Sequence, residues 1–291
     1  MTNNISTNNS AISIQVMVAG RVRVSPDLPF GNGCGLIRGS GFFVPASRRI
    51  WLPVCAFLVT TPHGRILFDT GWDRGMSPNG VYDRGAQIRS LGSWALYRVN
   101  QGVVGPGMTV PEQLAGQGLS SADLDVVVVS HLDCDHANGL RGVRGARRIM
   151  VSADEMRCAT RFPNRLVRFD ASWWQGIDLD LYDWNDTEGP VGRSYDLFGD
   201  RSVHLINIPG HTDGQVAMKV MAPSGRYVLL FADGGYATRS WRDMVTSGIV
   251  YDRHAQRSSL AWIREQSMSP MCVRSIACHD TANRPETILL S

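Results

Sequence analysis

The segment His131-Leu132-Asp133-Cys134-Asp135-His136 places four potential metal ligands within six residues. Positions 131, 133 and 135 can point to one side of a local extended turn, and His136 adds a second imidazole where the chain bends. A polar loop whose acids cap the next helix would explain this stretch if it stood alone. It does not: His211 in Pro209-Gly210-His211-Thr212, Asp233 in Phe231-Ala232-Asp233-Gly234-Gly235-Tyr236, and His279 in Ala277-Cys278-His279-Asp280 recur in matching settings. Singly, each would be read as a hydrogen-bonded structural residue. Together the seven side chains suffice for two metal ions if one carboxylate bridges them.

Each cluster follows a short apolar segment, which puts the chemistry at strand ends on a rigid scaffold. The β-branched run 124–130 delivers His131, 203–208 leads to Pro209 and His211, 227–231 to Asp233, and 272–278 to His279. Further strands are expected at 12–24, 51–60, 65–68 and 148–151. Helices are expected at 111–116, at 153–161 with Ser152 able to cap it, and at 253–268. Residues 71–108 carry many glycines together with Trp72, Trp94 and Tyr97, which suits a partly helical covering segment better than a linker.

A chain of 291 residues with 43% apolar content can bury a large α/β core. Its 29 basic and 26 acidic residues leave a net charge of +3, and Lys219 is the only lysine. The arginines are spread along the chain, so neither a nucleic-acid nor a membrane partner is expected. No apolar run approaches the roughly 20 residues that span a bilayer. The asparagine-rich start, 1–11, reads as a disordered tail without a signal peptide. Six cysteines without a CxxC pair suit reduced thiols, hence a cytoplasmic protein.

Leu52-Pro53-Val54, Ile66-Leu67-Phe68-Asp69-Thr70-Gly71, Ser130-His131 through His136-Ala137, Pro209-Gly210-His211-Thr212, Asp233 with Tyr236 three residues on, and Cys278-His279-Asp280 occur in that order. The ordered set resembles the metallo-β-lactamase superfamily, and the Asp-x-x-Tyr spacing resembles its N-acyl homoserine lactonase family. The resemblance covers nearly the whole chain after the tail. It implies an α/β fold, the four-layer αββα sandwich, as a single domain over 12–291. His131, Asp133 and His211 would hold one divalent metal, Asp135, His136 and His279 the other, and Asp233 would bridge. Zinc is the expected metal. Tyr236 and Asp135 are the expected catalytic residues, and Asp69 would fix the ligand loop rather than bind metal. The implied reaction is opening of a lactone or similar small ester, foremost an N-acyl homoserine lactone (quorum quenching), by a metal-bridging hydroxide.

The family normally has histidine where this chain has Asp133. A carboxylate there makes the site harder, which admits iron, manganese or cobalt beside zinc. It also lowers the formal charge of the loaded centre by one, which leads us to expect a higher pH optimum. The extra acid admits rivals: a di-iron oxidoreductase, a hydrolase of another ester or phosphoester class on the same fold, or a metal-stabilised binding protein. Cys134 reads as a buried thiol facing away. The substrate wall would come from 71–108 and 162–176, where Trp72, Trp94, Trp173 and Trp174 could line a pocket, serve a homodimer contact or belong to the core.

Overall fold

The computed structural model describes residues 12–291; the tail 1–11 lies outside the described residues. Thirteen strands form two sheets: β1 (Ile12–Val24), β2 (Ile50–Thr61), β3 (Gly64–Phe68), β4 (Gln101–Val103), β5 (Val126–Val128), β6 (Arg148–Ser152), β7 (Asp180–Tyr182), β8 (Ser194–Asp196), β9 (Val203–Asn207), β10 (Val216–Met221), β11 (Tyr227–Leu230), β12 (Cys272–Ile276) and β13 (Glu286–Leu290). The larger sheet runs β13-β1-β2-β3-β5-β6-β7, with β4 paired to β1; the smaller runs β12-β11-β10-β9-β8. The β1-β2-β3 meander is antiparallel, whereas β3, β5, β6 and β7 are parallel. Parallel strands covered on both faces carry apolar side chains at every position, as Val126, Val127 and Val128 do.

Alternation along those strands builds the layers. Ile66, Phe68, Val126 and Val128 point between the sheets, where they meet Val203, Leu205, Val216, Met218, Val228 and Leu230. Leu67, Val127 and Val129 point the other way, into a core with Leu114, Leu140 and Trp72 under the helical cover. On the far side, Ile208, Ala217, Leu229 and Phe231 of the smaller sheet pack against Leu260 and Ile263 of the helix Arg253–Met268. The order is therefore helix, sheet, sheet, helix.

Three expectations change. Only Val126–Val128 of the run 124–130 pairs as strand; Val129 still donates to the Met150 carbonyl, and Val216 donates to Ser130, joining the two sheets. Strands β4, β7, β8, β10 and β13 were not anticipated. Trp72, Trp173 and Trp174 are buried in the core, and Trp94 is half exposed. The segment 71–108 is partly helical as expected, with helices Arg84–Ser90 and Trp94–Val99. Among the described residues, no helix is long and apolar enough to cross a membrane.

Candidate metal centre

Four chain segments leave the ends of β5, β9, β11 and β12 and converge. Asp133 adopts an extended backbone and precedes a single helical turn, Cys134–Ala137. Asp135 and His136 therefore lie on a helix, which corrects the expectation of an extended turn. Gly210 has φ +130°, and a Cβ there would meet the Gln256 backbone nitrogen at 2.2 Å. Only glycine lets the His211 loop pass so close to the helix Arg253–Met268.

All seven expected donors are brought together. On one side, His279 Nε2 lies 3.4 Å from Asp135 Oδ2 and 3.2 Å from Asp233 Oδ1, and His136 Nε2 is 3.3 Å from the same Asp233 oxygen. On the other, Asp133 Oδ2 is 3.4 Å from His131 Nε2 and 2.9 Å from His211 Nε2, which is 3.7 Å from Asp233 Oδ2. Donors bound tetrahedrally at about 2.0–2.2 Å stand roughly 3.3–3.6 Å from one another, and most of these separations fall in or near that range. His131 Nε2, His136 Nε2 and Asp233 Oδ1 are buried without a hydrogen-bond partner. Buried polar atoms left unpaired around a common point are what a divalent cation would satisfy, so the donor set fits metal ions.

The surroundings orient those donors. Asp69, fully buried in the left-handed region at φ +64°, accepts from the Ser130 amide and hydroxyl at 2.7 and 2.9 Å and meets His136 Nδ1 at 2.8 Å. This is the loop-fixing place expected of it. His279 Nδ1 meets the Pro53 carbonyl at 2.7 Å, and His131 Nδ1 meets the Ser130 hydroxyl at 2.9 Å. Each contact leaves Nε2 aimed inward. Burial pushes His131 down to about 4, so its imidazole is neutral and fit to ligate. Burial alone would lower His136, but Asp69 and Asp233 outweigh it and hold the group well above its usual value. Carboxylates around a buried imidazole mark a place that favours positive charge.

Three contributors were not anticipated. Glu155 is fully buried, accepts from the Leu132 amide at 2.9 Å and the Thr212 hydroxyl at 2.5 Å, and ties two ligand loops together; burial pushes it up to about 7. Gln215, with its amide oxygen turned inward, accepts from the Asp233 and Gly234 amides at 2.8 and 2.7 Å. Arg168 donates from Nε to Asp133 Oδ1 and from Nη2 to Asp133 Oδ2, both at 2.6 Å. Burial raises the Asp133 carboxyl, but the Arg168 charge and hydrogen bonds, together with those of His131 and His211, outweigh it and hold the group well below the usual range. The charge count read from the sequence omitted this cation. With Arg168 included, the extra negative unit of Asp133 is offset, and the reason to expect a higher pH optimum disappears.

A cavity of about 660 Å³ opens onto the donors, lined by Asp133, Asp135, Arg168, His211, Asp233 and Tyr236 at its floor. Its walls are apolar, with Val22, Val24, Leu28, Leu36, Leu96 and Ile249 among them. The Tyr236 ring stacks on His279 at 5.1 Å. Burial, reinforced by Asp233, Asp133 and Asp135, holds its phenol well above the usual value, so the hydroxyl stays protonated. None of the four tryptophans considered for the wall lines this cavity. Cys134 is buried, and burial pushes its thiol well up.

A donor cluster at the strand ends of a two-sheet sandwich covered by helices defines a metal-binding αββα protein. The chain belongs to the metallo-beta-lactamase superfamily, whose sequence profile matches residues 103–266. It is 28% identical over 271 residues to the N-acyl homoserine lactonase AiiB of Agrobacterium fabrum (strain C58 / ATCC 33970), covering 87% of this chain and 88% of that one. It is 26% identical over 208 residues to the N-acyl homoserine lactonase AttM of Rhizobium radiobacter, 68% of this chain and 71% of the relative. Its fold is similar to that of an N-acyl homoserine lactone hydrolase solved with N-hexanoyl-L-homoserine at the catalytic metal centre: TM-score 0.72, 20% identity, 96% of this chain and 100% of that one. The dizinc quorum-quenching lactonase AidC aligns with TM-score 0.62 and 15% identity, over 96% and 94% of the two chains.

Proposed function

We propose that this protein is a metal-dependent lactonase that opens the ring of N-acyl homoserine lactones. The observation that carries the reading is the joining of seven metal-type donors to one apolar cavity of about 660 Å³, with the lactonase relatives in support. His131, Asp133 and His211 would hold one ion, Asp135, His136 and His279 the other, and Asp233 both. Zinc is the proposed metal; Asp133 also admits iron, manganese or cobalt. When bound, such ions polarise a carbonyl oxygen and ease deprotonation of water.

The chain's own residues do the rest. The apolar walls hold an acyl tail and exclude water, which leaves the lactone head at the polar floor. Tyr236, kept protonated, donates its hydroxyl hydrogen to the substrate oxygen on which charge develops. Asp135 shares the floor as a ligand facing the same point. The six thiols, all unpaired, support a cytoplasmic place for the enzyme.

Ring opening measured by acid release across N-acyl homoserine lactones of increasing chain length tests this. Each added methylene that is buried should raise kcat/KM about 3- to 4-fold until the cavity is filled, at about 0.8 kcal/mol per methylene. Chelation should abolish turnover, and added zinc should restore it. Rates independent of chain length, or turnover confined to phosphoesters, would reject the assignment.

A further inference from the structure

Arg168 makes more contacts at the centre than any expected ligand requires. Nε and Nη2 take the two oxygens of Asp133, and Nη1 donates to the His211 carbonyl at 3.0 Å. Nη2 also lies 3.0 Å from His211 Nε2. One guanidinium thus grips the side chain of one donor and the backbone of another, both on the same side of the cluster. Three of its five N–H groups are spent on these bonds and a fourth faces His211, so no fork remains for a substrate carboxylate. Its position is set by the core: the next residue, Phe169, is buried, and the turn Ala171–Trp173 follows with Trp173 buried.

A free aspartate makes a poor substitute for an imidazole. It carries a full negative charge, is shorter, and can rotate to offer either oxygen or both. The clamp removes these differences. With Oδ1 held by Nε, only Oδ2 faces His131 and His211, and the pair has no net charge. One fixed donor atom on a neutral group is what a histidine offers.

We propose that Arg168 is a positioning residue that makes Asp133 a neutral, single-oxygen donor, so that the Asp133–Arg168 pair serves as one ligand to the ion shared with His131 and His211. The proposal rests on the two-metal reading of the site. It predicts that residues 133 and 168 work only in matched combinations.

The test counts metal by elemental analysis and measures zinc affinity by competition with a chromophoric chelator, on the wild type, Arg168→Gln, Arg168→Lys, Asp133→His and the double variant Asp133→His/Arg168→Gln. Circular dichroism checks that each is folded. The wild type should bind two ions. Arg168→Gln should keep one ion tightly and weaken the other about 10- to 100-fold, the usual cost of losing a group that orients a ligand. Arg168→Lys should not recover the loss, because an ammonium lacks the fork. Asp133→His should also weaken binding, since it leaves a guanidinium unpaired beside the metals. The double variant should regain two tight ions even if Arg168→Gln alone folds poorly. A double variant no better than the two single losses combined, or an Arg168→Gln protein with wild-type affinity for both ions, overturns the proposal but leaves the metal centre standing. A wild type that binds one ion and gains a second when Arg168 is removed would show the guanidinium standing in for a metal, which also overturns it. A wild type that binds no metal defeats the reading of the centre itself.

Discussion

Substituting Asp69 by asparagine tests how the buried network sets the state of His136. Asp69 Oδ1 accepts the Ser130 amide at 2.7 Å, while Oδ2 faces the Ser130 hydroxyl and His136 Nδ1 at 2.9 and 2.8 Å. An asparagine must keep its oxygen toward the Ser130 N–H, since the reverse orientation opposes two donors. Its NH2 then faces His136 Nδ1 and requires a lone pair there, which moves the imidazole proton to Nε2. That atom points at Asp233 Oδ1, 3.3 Å away, and a protonated Nε2 cannot ligate. Loss of a carboxylate behind a ligating histidine costs about 10- to 100-fold in metal affinity, or roughly 1.4–2.7 kcal/mol. Chelator competition at pH 7.5 would measure it, with Ser130→Ala as the control. That variant keeps the Asp69–His136 bond but loses the hydroxyl that meets His131 Nδ1, so it separates the cost of the His131 contact from the tautomer change at His136. An Asp69→Asn protein within twofold of the wild type would refute the tautomer argument.

Two further outcomes follow from other parts of the molecule. Tyr236→Phe should leave the metal content unchanged and slow lactone opening by roughly 10- to 1,000-fold; an unchanged kcat would return Tyr236 to a packing role. Glu188 is paired with His204 Nδ1 and Lys219 Nζ at 2.6 Å each. Burial would raise its carboxyl, but these partners bring it from 4.5 down to about 2. A depressed carboxylate contributes stability that is present above pH 4.5 and lost as pH falls toward 2. With its side chain 27% exposed, about 1–2 kcal/mol is a reasonable size after solvent screening. Glu188→Gln should therefore lower the urea-unfolding free energy by that much at pH 7, with a deficit that shrinks at pH 3; a deficit constant across that range would refute the sign.

The donor cluster was legible because strand-end chemistry is local in sequence. His131, His211, Asp233 and His279 each follow a run whose periodicity or β-branching is visible in the residues alone. The helix Arg253–Met268 was read to the residue because its apolar face repeats at helical spacing and Asp252 caps it. Strands β7 and β8 were not, since Asp180–Tyr182 and Ser194–Asp196 are three residues long, partly exposed and polar. They are strands because a neighbour offers an edge, which is a tertiary fact. The tryptophans were undecided for a similar reason: a large aromatic side chain fits a core or a pocket wall equally well until its neighbours are known.

Asp133 and Arg168 show where local reading ends. The aspartate was conspicuous because it stands inside a dense motif, and its charge alone argued for an altered centre. Its partner lies 35 residues on, at the C-terminal end of the short helix Asn164–Val167, and is one arginine in a chain whose positive charges are nearly all arginine. No spacing rule connects the two positions. They meet because the turn Ala171–Trp173 anchors its segment in the core beneath the cover, which brings residue 168 over the end of β5. A charge count made from motif residues alone is therefore incomplete wherever a long loop crosses a site: the cation that balances the added carboxylate comes from that loop, and the electrostatics of the centre belong to the pair.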